Sequence, residues 1–155
     1  MDQITKALAS RLLAADQVVH VFGNDLLWLI LVYNPGGVFG VRLIPPIVLM
    51  AVALAASVGL GVYLYTNANF RLPMGLSLAL IMGGAIGNLI DRVTIGKVVD
   101  FVSVDTPDFI MDRWPVFNVA DSAVSVGVVA LFLISIFEPR PHQQDNLTNG
   151  THPEV

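Results

Sequence analysis

Three carboxylates sit where an apolar chain has least reason to carry them. Asp91 closes the run "GGAIGNLIDR", Asp100 lies inside "KVVDFV", and Asp121 lies inside "FNVADS". An ionisable group at membrane depth is costly and is a functional candidate by default. Two carboxylates that converge in a low-dielectric site cannot both ionise cheaply, so one pKa rises and the pair shares a proton. Such a pair can take a proton from water as a base and give one to a leaving amine as an acid. That is aspartic-peptidase chemistry, and no serine–histidine or cysteine–histidine set competes with it. The chain has no cysteine, and its histidines (His20, His142, His152) are scattered. Neither a metal nor a cofactor is expected.

Each candidate also has a plainer reading. Asn118 can be a helix N-cap with Asp121 favourable in the first turn, a role compatible with catalysis. Asp91 and Arg92 can be the interfacial end of a span. Asp100 is the hardest to explain away, because "VVDFV" offers no capping role. Asp105, Asp108 and Asp112 read as a solvated loop, His20 as structural, and Trp28 and Trp114 as interfacial anchors.

The elements that must position these residues follow from composition. Of 155 residues, 55% are hydrophobic and 13% charged, about half the charge of a typical soluble domain. This places the chain in the membrane class. The net charge of −4 and the absence of a basic run argue against nucleic acid. A span needs about 20 apolar residues as helix. Ile47–Tyr65 and Leu72–Ile90 meet that length, and Ser122–Phe137 does so once 116–121 is added. Gly83, Gly84 and Gly87 allow close helix contact in the second. "TKALASRLLAADQ" reads as a short helix, and "HVFGNDLLWLILVY" as two short strands around Gly23-Asn24-Asp25. Asn34-Pro35-Gly36-Gly37 breaks the next run. Residues 1–137 form the membrane domain, and 138–155 a polar, disordered tail. Three alternating spans bring Asp2, Lys6, Asn34, the Asn88–Arg92 group, Asp100, Asn118 and Asp121 to one membrane face.

Five blocks in this order, "DQITK", "YNPGGVFG", "GGAIGNLIDR", "VVDF" and "FNVADS", closely resemble those of the lipoprotein signal peptidases, also called signal peptidase II. The resemblance implies an all-α polytopic bundle with a small periplasmic β element, in the bacterial inner membrane. It implies an aspartic endopeptidase that cuts prolipoproteins just before a diacylglyceryl-modified cysteine. Lipidated preprotein and membrane lipid are then the partners, and a monomer is expected. By the same resemblance Asp100 and Asp121 are catalytic. Asn34, Asn88, Arg92 and Asn118 line the site, and Asp2, Lys6 and Asp91 support it.

Family members carry a first transmembrane helix before the "DQxTK" block. Met1 directly precedes it here, so three full spans are expected rather than four. Gly37 stands where alanine is common, and Trp114 where phenylalanine often precedes the proline. The site face holds Lys6, Arg11, Arg42, Arg92, Lys97 and Arg113, against Arg71 and Arg140 opposite. The positive-inside rule would make that face cytoplasmic, whereas the family's active site faces the periplasm, and the family reading is preferred. The rival functions are an ion- or proton-coupled transport subunit and an inactive membrane scaffold. Transport sites tend to lie near the bilayer midplane, whereas these acids cluster at span ends.

Overall fold

The structure, a computed structural model, describes residues 1–14, 17–23, 26–36, 45–67, 71–107, 111 and 113–137. The Asn24-Asp25 part of the expected turn, Gly37, Arg42, Asp108, Asp112 and the 138–155 tail lie outside the described residues.

Three helices are long and apolar enough to cross a membrane: α2 (Pro46–Thr66), α3 (Leu72–Ile95) and α4 (Val119–Phe137). They cover the three spans expected from the sequence. α2 is apolar on all sides and buries only Ser57, as suits a helix whose surroundings are lipid. Prolines at its start and in the first turn of α3 stand where their missing N–H groups are not needed. α3 runs a full turn beyond the expected end at Ile90, because Asp91 and Arg92 are helical. Gly96, in the left-handed conformation (φ 74°), caps it and turns the chain into a strand.

α3 and α4 approach closely through glycine. A methyl on Gly84 would collide with the Ala120 carbonyl oxygen and come 2.6 Å from a Val124 methyl. One on Gly127 would come 2.7 Å from the Ser77 carbonyl oxygen. Small residues let backbones pack where lipid supplies no hydrophobic drive between helices.

The short helix α1 (Asp2–Leu12) is inside-out. It buries Lys6 and Ala9 and exposes Ile4, Leu8 and Leu12, one stripe at a spacing of four. A three-stranded antiparallel sheet in the order β1-β2-β3 completes the fold: β1 (Val18–Phe22), β2 (Leu27–Asn34) and β3 (Val98–Val104). The first two are the strands expected around the Gly23 turn. β3 was not expected, and it carries Asp100. Ala9 and Leu13 pack on Phe101 to form a small core beneath the sheet.

Asp105 fits the solvated-loop reading only in part, its side chain being 38% exposed. It pairs with Arg113 in an isolated bridge, and their side chains approach to 3.8 Å. Arg113 also donates to Ser103 Oγ at 3.0 Å and lies 3.5 Å over the Trp28 ring, which His20 flanks at 5.0 Å. Trp28 therefore packs within the sheet region, while Trp114 is exposed.

Candidate active site

Two local devices bring Asp100 to α4. The Asp91 carboxylate at the end of α3 accepts the Val99 N–H at 3.0 Å, fixing β3 beside the helix it follows. Phe117 then pairs with β3: its N–H donates to Val102 O, and its carbonyl accepts from the Phe101 and Val102 N–H groups. The residue after Phe117 is Asn118, which is 0% exposed.

Asn118 is the N-cap of α4. Its Oδ1 accepts the Asp121 N–H at 3.0 Å, while its own N–H donates to Asp121 Oδ2 at 3.1 Å. This is a reciprocal capping box, so the plain reading of the pair holds. It is also only half of what the pair does. Asn118 Nδ2 donates to Asp100 Oδ1 at 2.7 Å and to Asn88 Oδ1 at 3.1 Å. One residue thus touches both carboxylates.

Two more amides extend the network. Asn34 Nδ2 donates to Asp100 Oδ2 at 3.0 Å, and Asn88 Nδ2 donates to Asp121 Oδ1 at 2.7 Å. An amide can be flipped, so its orientation must be fixed by partners. Each of the three oxygens accepts from a group that can only donate. The Gly36 N–H holds Asn34 at 2.9 Å, Lys6 Nζ holds Asn88 at 2.8 Å, and the Asp121 N–H holds Asn118. Gly36 has φ 110°, a conformation that favours glycine.

Asp100 is 2% exposed, and its pKa is pushed up to about 6. Burial is the main cause, and the nearby Asp121 charge adds to it. Hydrogen bonds from Asn34 and Asn118 and the charge on Lys6 act in the opposite direction.

Behind this network lies an ionic cluster. Lys6 Nζ is 2.8 Å from Asp2 Oδ2 and 2.9 Å from Asp91 Oδ2. Asp2 Oδ1 accepts the Ala120 N–H at 2.9 Å, tying α1 to α4. Gln3 joins this cluster and is absent from the residues expected from the sequence. Its Nε2 donates to Asp91 Oδ1 at 2.7 Å and to Gly87 O at 3.0 Å. Its place within the "DQITK" block was the available signal. A groove of about 400 Å³ borders the cluster on the side of Met1, Gln3, Leu80, Gly83 and Ala123. Neither Asp100 nor Asp121 lines it.

The structure therefore joins Asp100, Asp121, Asn34, Asn88 and Asn118 in one hydrogen-bonded network, with Asp2, Lys6 and Asp91 behind it. Arg92 stands apart. Its Nη1 reaches the Asn88 carbonyl at 3.3 Å within the same helix, and its Nε is buried with no partner among the described residues. It makes no hydrogen bond to either carboxylate among those residues.

Three apolar helices and a small sheet define a multi-pass membrane protein, with buried Asp100 on β3 and part-buried Asp121 at the start of α4 joined through Asn118. Two solved chains titled as bacterial membrane enzyme structures share the fold. One has a TM-score of 0.78 and 27% identity, over 94% of this chain and 87% of that one. The other has a TM-score of 0.74 and 29% identity, over 90% and 86%. The family described as signal peptidase (SPase) II matches residues 1–137, and the chain belongs to that family. It is 41% identical to a lipoprotein signal peptidase of Chlorobaculum tepidum, over 88% of this chain and 89% of that protein. It is 33% identical to one of Bacillus velezensis, over 88% and 87%.

Proposed function

We propose that the chain is an aspartic endopeptidase that removes signal peptides from lipidated prolipoproteins, with Asp100 and Asp121 as its catalytic pair. The observation that carries this reading is the bridge through Asn118, which donates to both carboxylates from a fully buried position. In the mechanism, a water lies between the pair. Asp121, held by two N–H donors, takes the proton as the water attacks the scissile carbonyl. Asp100 is the member nearer to holding a proton at neutral pH. It polarises the carbonyl oxygen, and the pair then passes a proton to the leaving amine. The surrounding amides orient both carboxylates and bring no charge of their own.

The substrate class rests on the family and on relatives named lipoprotein signal peptidases. The apolar surroundings support it as well, since a signal helix and a diacylglyceryl group both arrive through lipid. The transport and scaffold alternatives gain no support from this family. We place the site at the periplasmic face of the inner membrane. The basic count that argued otherwise is weakened by local pairing. Lys6 is neutralised by Asp2 and Asp91, and Arg113 is engaged by Ser103, Asp105 and Trp28.

The test is cleavage by purified protein of a diacylglyceryl-modified preprotein and of the same preprotein unmodified, with the new N-terminus mapped. Cleavage of the lipidated form at the modified cysteine is expected. No cleavage, or equal cleavage of the unmodified form, would contradict the assignment.

A further inference from the structure

Among the three oriented amides, two are held by backbone N–H groups of Gly36 and Asp121. Asn88 is held differently, by a buried ammonium. Lys6 is 3% exposed, and an ammonium has three protons. Its acceptors are three: Asp2 Oδ2, Asp91 Oδ2 and Asn88 Oδ1. A lysine serving only to pin α1 to α3 would be satisfied by the two carboxylates. The third contact points toward the chemistry. It forces Asn88 Nδ2 to face Asp121 Oδ1, and it leaves Asn88 Oδ1 able to accept from Asn118 as well.

We propose that Lys6 is a positioning residue for the reaction, acting through Asn88 to set the hydrogen bonds of Asp121. This rests on the carboxylate-pair reading above. The charged and titratable groups facing the cluster are Asp2 on α1, Asp91 on α3, Asp100 on β3 and Asp121 on α4, with Arg92 nearby on α3 bonded to the Asn88 carbonyl. Without the ammonium, Asn88 Oδ1 keeps only the longer contact from Asn118, so the amide is less firmly held against a flip that would set its oxygen against the Asp121 carboxylate. Asp100 also loses a cation that restrains its proton affinity.

The experiment measures cleavage of a lipidated preprotein by purified Lys6→Met. kcat should fall on the order of a hundredfold, as for a small misplacement of reacting groups, with KM little changed. The pH profile should move to higher pH by about half a unit to one unit, since an attracting charge has left. In an Asn88→Ala background, with each variant read at the optimum of its own pH profile, Lys6→Met should add no further loss in kcat, because the intermediary is gone and the charge acting on Asp100 only shifts the profile. Lys6→Met can fail to fold by stranding two buried carboxylates, so Lys6→Met/Asp91→Asn is the companion. It removes the cation together with one carboxylate and leaves the cluster's net charge as it was. The companion should fold and remain slow. Wild-type kcat in it would show that Lys6 only balances charge, and losses that add fully to those of Asn88→Ala would show that it acts elsewhere. Either result overturns the proposal. Asp100→Asn and Asp121→Asn are assayed beside these variants. Turnover retained in either would remove the pair reading itself, whereas loss in both with a fast companion would remove Lys6 alone.

Discussion

At the residue scale, the choice of asparagine around the carboxylates has a physical reason. A lysine or arginine in direct contact would favour ionisation of both acids and expel the shared proton. An amide N–H orients a carboxylate with far less electrostatic bias, so burial still dominates and Asp100 keeps its raised pKa. The cation is held one residue back, behind Asn88. Two predictions belong here. Asp100 must carry a proton to act as the acid, and it loses that proton as pH rises through its folded pKa. kcat/KM for a lipidated preprotein should therefore show an alkaline limb centred near pH 6. A rate that stays flat from pH 5 to pH 8, on the order of three units, would contradict that assignment. Alanine at Asn34, Asn88 or Asn118 should slow cleavage by less than the loss of either aspartate. Asn118→Ala should be the most damaging of the three, since it removes the side-chain bonds to Asp100 and Asn88 and a helix cap, leaving only the backbone N–H on Asp121. The cap alone is worth about 1 kcal/mol of stability, readable as a lower melting temperature in detergent.

At the element scale, the spans and the two strands before α2 were legible, because long apolar runs and the flanked Gly23 turn are strong signals. The capping role of Asn118 was legible too, from the spacing of "FNVAD". β3 was not. Residues Val98 to Phe101 are all buried, so "VVDF" lacks the alternation that marks a half-exposed strand. Its existence depends on tertiary partners far along the chain, β2 on one side and Phe117 on the other. The same dependence hid the partner of Arg92, which bonds the Asn88 carbonyl rather than either carboxylate. The close contact at Gly84 yields a further prediction. Gly84→Val would drive a branched side chain into the Ala120 backbone and Val124. Overpacking of this kind costs about 1–3 kcal/mol or more. Detergent melting of the variant should fall by several degrees, and an unchanged midpoint would show that α3 and α4 are not packed this closely.

At the scale of the whole molecule, an apolar chain hides its charge. Lys6, Asp91 and Asp100 are buried, while large apolar side chains cover α2 and the outer stripe of α1. The site lies at one end of the spans, where α3 finishes and α4 begins. The opposite end holds the close of α2 and the start of α3. Because the sequence has no cysteine, single cysteines can report orientation without background. Lys97→Cys should react with an impermeant maleimide added outside spheroplasts, and Thr66→Cys should react only after lysis. The reverse pattern would put the site on the cytoplasmic face.

The central claim is that two aspartates far apart in sequence form one proton-sharing pair that cuts the peptide bond. Single-turnover cleavage of a lipidated preprotein by Asp100→Asn and by Asp121→Asn, each checked for a native-like melting transition, tests it most directly. An amide cannot exchange the proton, so each variant should lose activity on the order of a thousandfold or more. Cleavage at near wild-type rate by either folded variant would contradict the account.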